Sequence, residues 1–165
     1  MSIYWITGLP GSGKSTFGKQ LCLQLSDLGR ASVQIDGDLI RECFMGTFGY
    51  TREQRVFLGK AYLNLSIMFS LQNLDVVVST VSLFKEVHDF ILDKRELHKI
   101  RIIVIRAQND LLDSRNQKNL RSENQQHSPD VNLKIEYPEF IDLQLHGDET
   151  LESQRKIISE ILLNE

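Results

Sequence analysis

Nine residues, GLPGSGKST at positions 8–16, constrain this chain more than any other stretch. They follow the apolar run SIYWIT. They precede a segment with helical spacing through Phe17, Leu21, Leu25 and Leu28, stopped at Gly29. Gly8, Gly13, Lys14 and Ser15 complete the pattern G-x-x-x-x-G-K-[ST] in the context it requires, strand before and helix after. Glycines let backbone N–H groups turn inward, and the following helix offers its positive end, so the loop suits phosphate. Lys14 supplies a point charge for the outer phosphates, and the Ser15 hydroxyl is a ligand for Mg²⁺. With Gly11, Ser12 and Thr16 completing the cradle, the loop is expected to hold a nucleoside triphosphate and Mg²⁺.

Apolar bursts alternate with helical patterns along the rest of the chain. ASVQID, LDVVVST, IRIIVI and FIDLQLHG read as further strands. Thr51 and Gln54 form a capping box that opens a helix to about Gln72, with an apolar stripe at Leu58, Ala61, Tyr62, Leu65, Met68 and Phe69. Residues 84–97, 109–120 and 150–163 also have helical patterns. Strands alternating with helices behind this loop predict an α/β P-loop fold: one domain over residues 1–165, three layers, a central parallel sheet. Residues 121–138 are polar and weakly periodic, and such a long segment inside a compact domain is expected to be a lid.

Net charge of -3 and a pI near 5.8 argue against nucleic acid as a partner, which calls for a clustered basic excess. No stretch has the length of a membrane span, and none reads as a leader, so a cytoplasmic protein is expected. Cys22 and Cys43 have no metal-binding spacing, and Cys22 reads as a small core residue. His88, His98, His127 and His146 show no ligand pattern.

The guanine-reading string N-K-x-D is absent; RNQKN at 115–119 is not one. The VVV strand ends in Ser79 and Thr80, where many ATPases carry an aspartate, and Asp75 lies at its start. Acidic chemistry is expected instead from DGD at 36–38, at the C-terminal end of the second strand, the edge that faces a bound ligand in open α/β sheets. One of Asp36 and Asp38 would order metal-bound water and the other accept a hydroxyl proton, or Asp38 would merely cap the helix LIRECF. Arg41 lies one helical turn past Asp38, and Arg55 can join it at an anionic acceptor.

With these residues the sequence resembles the adenylylsulfate kinase family, in which a P-loop is joined to DGD-x-x-R, a GF[ST] turn, a further arginine, an ISP[YF] string and R-x-x-K-G-L. GLPGSGKST, IDGDLIR, FGYT, EQR, VSTVSLF and RNQKNL occur here in that order, and the likeness covers roughly residues 1–120. The resemblance implies transfer of the ATP γ-phosphoryl to the 3′-hydroxyl of a nucleoside 5′-phosphate derivative. It implies Asp38 as the carboxylate beside the acceptor and Arg41 and Arg55 as holders of its anionic end. It further implies Tyr50 stacking on its base, with Ser82, Lys118 and Leu120 at the acceptor. A homodimer is also implied.

The departures bear on the acceptor. Leu58 stands where the family has asparagine, Lys60 and Ala61 where it has paired arginines, and VSLF where it has ISPY. Residues 121–135 lack the aromatic that clamps adenine in the family, a loss of about 1–3 kcal/mol of stacking. Adenylyl sulfate and, in a divergent branch, cytidine diphosphoramidate therefore both stand as acceptors. Polynucleotide 5′-hydroxyl kinases also pair a P-loop with Asp-x-x-Arg, but the acidic pI argues against them. A non-catalytic nucleotide-binding module would not need Asp36, Asp38, Arg41 and Arg55 together.

Overall fold

Along β1 (Ile3–Gly8) every residue is buried, and its neighbours alternate between two cores. Ile3 and Trp5 join Val76, Val78, Ile102 and Val104 on one face; Tyr4 and Ile6 join Val77, Ile103 and Ile105 on the other. A strand apolar at every position is what a parallel sheet covered on both faces demands. The computed structural model of the chain describes residues 1–45, 51–106 and 134–164. Its sheet has the order β2-β3-β1-β4-β5, with β2 (Ser32–Asp36), β3 (Asp75–Thr80), β4 (Ile100–Arg106) and β5 (Leu143–His146) all parallel to their neighbours.

Helices α1 (Lys14–Asp27) and α5 (Leu151–Leu163) cover one face, and α3 (Arg52–Ser70) and α4 (Lys85–Arg95) the other. The short α2 (Gly37–Cys43) continues directly from β2. This is the expected α/β P-loop fold. The capping box at Thr51 and Gln54 is present.

Three details differ from the sequence reading. The buried row of α3 runs through Arg55, Leu58, Gly59, Tyr62, Leu63 and Ser66. Leu65 and Met68, read as part of its apolar stripe, face outward, because the i, i+4 row set by Leu58 and Tyr62 already fills the contact with the sheet. The cap of α2 is Asp36, whose Oδ1 accepts from the Asp38 backbone N–H at 2.9 Å, and Asp38 lies inside the first turn. The last strand begins only at Leu143. Asp142 takes the place of a strand residue by accepting the Ile102 N–H on its side chain at 2.7 Å. The helix read over 109–120 and residues 121–133 of the lid lie outside the described residues.

Candidate active site

The C-terminal ends of β1, β2 and β3 lie side by side, with Asp36 in register with Ser79 and Thr7 with Thr80. The loop leaves β1 at Gly8, where a Cβ would stand 2.2 Å from the Ile105 carbonyl oxygen of the adjacent strand, so only glycine fits. Gly13, the N-cap of α1, has φ +98°, a backbone region that other residues adopt only under strain. Ser12 is fully buried and its Oγ has no hydrogen-bond partner among the described residues. An orphaned hydroxyl inside a curl of backbone N–H groups suits a phosphate.

Lys14 is buried, and its Nζ donates to the Leu9 carbonyl at 2.7 Å, folded back over the loop. Burial pushes its ammonium down to about 8; Asp36 opposes that shift and Arg41 adds to it. The Ser15 hydroxyl donates to Asp36 Oδ2 at 2.6 Å. The carboxylate absent from the end of β3 is thus supplied by the neighbouring strand. At its usual place Ser79 donates to the Lys14 carbonyl at 3.3 Å and accepts from Gln34 Nε2 at 3.3 Å. Ser15 and Asp36 present hard oxygen atoms together, the donor set that Mg²⁺ takes.

Beyond the Asp36–Gly37–Asp38 turn, a small cavity is lined by Arg41, Arg55, Leu58, Tyr62, Thr80, Val81, Ser82 and Phe84. Arg41, Arg55 and Ser82 were expected at one acceptor site, and the fold brings them together. Asp38 is exposed and ion-paired with Arg41, one of the lining residues. The Tyr62 hydroxyl donates to the Gly37 carbonyl at 3.3 Å and also meets the Arg41 side chain; burial raises its pKa. The Thr80 and Ser82 hydroxyls pair at 2.9 Å. His88 is buried beneath them, with Nε2 3.1 Å from the Ser82 carbonyl. A carbonyl can only accept, so Nε2 carries the proton; burial lowers the His88 pKa.

Sequence reasoning missed the pocket roles of Tyr62, Thr80 and Phe84. Tyr62 carried a signal, since Arg55, Leu58, Gly59 and Tyr62 follow the i, i+3, i+4, i+7 spacing of one helix face. Cys22 is half-buried against the α1 core, as a small core residue would be. Gly11 and Thr16 are exposed on the loop and first helical turn. Tyr50, Lys118, Leu120 and the arginines at 115 and 121 lie outside the described residues. A groove between β4, β5 and α5, lined by Arg101, Asp142 and Asn164, holds none of the expected residues. No metal-binding cluster of histidine, cysteine or carboxylate groups occurs among the described residues. Nor is any described helix long and apolar enough to cross a membrane.

A phosphate loop with its lysine and serine, set beside a carboxylate turn and a two-arginine pocket on a parallel sheet, defines a P-loop kinase. The sequence model of the adenylylsulphate kinase family matches residues 1–145, and the chain belongs to that family. It is a nucleotide kinase, a phosphotransferase with an alcohol group as acceptor. Cytidine diphosphoramidate kinase of Campylobacter jejuni is 32% identical over 118 residues, covering 72% of this chain and 68% of that one. Adenylyl-sulfate kinase of Paraburkholderia xenovorans is 32% identical over 81 residues, covering 49% of this chain and 45% of that one. The match thus spans about two thirds of the first relative and under half of the second. The Mycobacterium tuberculosis APS kinase, solved in complex with AMPPNP and APS, superimposes with a TM-score of 0.81 at 19% identity, covering 99% of this chain and 98% of that one. At that identity it supports the fold alone.

Proposed function

We propose that this kinase transfers the γ-phosphoryl of ATP to the 3′-hydroxyl of a nucleoside 5′-phosphate derivative. One observation carries the reading. The Asp36–Gly37–Asp38 turn touches the P-loop through Ser15 and walls the Arg41–Arg55 cavity through Tyr62, so donor and acceptor share one carboxylate-bearing element. The acceptor's anionic end would lie against Arg41 and Arg55. Its 3′-oxygen would attack the γ-phosphorus as the bond to the β,γ-bridging oxygen breaks, releasing ADP, and Asp38 would take the hydroxyl proton. Lys14 and the loop N–H groups would neutralise the transferring group. Mg²⁺, held by Ser15 and Asp36, would add positive charge at the β and γ phosphates when bound.

Between the two acceptors the cavity favours cytidine diphosphoramidate. Leu58, where the family has asparagine, is 3% exposed and lines the cavity beside Val81 and Phe84. Both acceptors end in a singly charged group that two arginines would meet, so the choice turns on the apolar wall: Leu58 removes the polar contact that asparagine would give the family's usual acceptor. The Campylobacter relative supports the same choice. Adenylyl sulfate is the second reading, supported by the family match. An ADP-release assay with ATP-Mg²⁺ and each acceptor in parallel tests the choice. Turnover of adenylyl sulfate alone would sink the cytidine reading. A homodimer, as the family resemblance implies, is the quaternary state we propose, to be checked by light scattering.

A further inference from the structure

Residues 134–138 run beside the acceptor cavity, and Glu136 there ties together two separate segments. Glu136 Oε2 accepts from Arg52 Nη2 at 3.0 Å and from the Lys85 backbone N–H at 3.0 Å. Its own backbone N–H donates to the Leu83 carbonyl at 2.9 Å. Arg52 is the first residue of α3, one turn before Arg55, and its guanidinium lies 5.1 Å from the centre of the Phe84 ring. Phe84 is a cavity wall and also the N-cap of α4, where it makes no side-chain cap bond; the Glu136 carboxylate serves the first turn instead. The Lys85 N–H, then Arg52 and Lys134, hold the Glu136 carboxyl below the usual carboxylate range, so it is ionised at neutral pH.

These contacts close a loop through the pocket. The first turn of α3 delivers Arg55 to the cavity, and the chain from Ser82 to Phe84 forms the facing wall. Glu136 is hydrogen-bonded to both. Arg52 has a second carboxylate partner, Glu86 at 3.0 Å, but Glu86 is half exposed on α4 and, among the described residues, hydrogen-bonds no cavity residue. Further along α3, Gly59 lets the helix approach the same wall, since a Cβ there would stand 3.1 Å from Ser82 Oγ. Close approach at Gly59 and an ionic clamp at Arg52 together fix the angle at which Arg55 enters.

We infer that Glu136 is a positioning residue for the acceptor: its carboxylate clamps the Arg55-bearing turn of α3 to the opposite wall of the cavity. The inference rests on the reading that this cavity receives the acceptor. Glu136→Gln should raise the KM for the acceptor about fivefold, the scale of a part-exposed charged pair, with the KM for ATP within about twofold. Arg52→Ala should do the same, and the double variant should be no worse than the worse single one. Glu86→Gln, which removes the outer partner, should leave the acceptor KM within about twofold. A general weakening of the fold would move both KM values, or neither, and would make the two changes additive.

A second measurement separates this inference from the functional reading. In ¹⁵N spectra of the apo protein, the Arg55 Nε–H signal should shift or broaden in Glu136→Gln and stay in place in Glu86→Gln. If wild type turns over neither acceptor, the functional reading fails, and the Arg55 signal still decides whether the clamp exists. An unmoved Arg55 signal, or an unchanged acceptor KM in an active Glu136→Gln, overturns the inference.

Discussion

The two ends of this sheet carry the same chemical group in opposite conditions. At the N-terminal edge Asp75 is wholly buried, its two oxygens taken by Arg30 Nε and Nη2, each at 2.8 Å, and by the Ser2 N–H at 2.8 Å. At the C-terminal edge Asp36 is half-buried and holds one serine hydroxyl of the phosphate site and the backbone N–H of Asp38 in the first turn of α2. The first carboxylate is fully committed to partners that pin the start of β1 and the end of α1 to β3. The second caps α2 with one oxygen and meets the phosphate-loop serine with the other. Burial and partner together separate the aspartate that holds the fold, sealed against a guanidinium, from the one placed to act, half-open beside the phosphate-loop serine.

The comparison makes a double prediction, and its larger half concerns the working edge. Lys14→Ala should lower kcat by about 10²–10³, the loss of a preorganised charge at the transferring group. Because burial opposes the lysine's charge, the melting temperature should be held or raised. Steady-state kinetics and a melting curve on one preparation check both statements. A variant that lost its fold along with its activity would break the division between edges. Asp75→Ala should show the reverse. Breaking its pair, with Arg30 partly in solvent, should cost about 3 kcal/mol, or about 10 °C in melting temperature for a domain of this size. Turnover per folded molecule should stay at the wild-type level.

A smaller effect follows from the Lys14 ammonium itself. Its pKa in the fold, about 8, lies below the ordinary 10.5. Phosphate binding needs the charged form, so kcat/KM for ATP should fall about tenfold per pH unit above pH 8, while kcat at saturating ATP falls at higher pH because bound phosphates restore the charge. The stability sign is opposite. Between about 8 and 10.5 the unfolded chain binds the proton that the folded chain has lost, so stability rises with pH across that window. Denaturant melts at pH 7.5 and 10, compared with Lys14→Met, isolate this contribution; an equal pH dependence in the variant would contradict it.

The same two edges show what a sequence discloses. The phosphate loop was legible because its pattern is local: glycines at fixed offsets, a lysine and a serine, a strand before and a helix after. Asp36 was legible because a carboxylate at a strand's C-terminal end falls on the ligand side of a parallel sheet. The acceptor cavity was half legible. Its arginines announce themselves by charge, whereas Tyr62 reads as part of an apolar stripe, because helix periodicity does not distinguish a cavity wall from packed core, and Phe84 carries no local signal of a pocket role. Glu136 was not legible at all, since its partners Arg52 and Lys85 stand 84 and 51 residues away and nothing in local spacing joins them. The offset of the α3 stripe has the same origin: Leu65 and Met68 are apolar, but which helix face meets the sheet is settled by Leu58 and Tyr62 in three dimensions.

Tyr62 gives the finest test of the contrast, because its hydroxyl joins the acceptor cavity to the carboxylate turn. Tyr62→Phe keeps the ring in the core and removes the donor to the Gly37 carbonyl and the contact with Arg41. The net loss of one such bond is about 1 kcal/mol. If the hydroxyl only fills the core, the loss appears in the melting temperature and both KM values stay put. If it sets the turn and Arg41, as its place on the wall argues, the acceptor KM rises about fivefold, the kinetic equivalent of that bond, and the KM for ATP is spared. Loss confined to ATP would instead move Tyr62 to the donor side and redraw the boundary between loop and cavity at Gly37.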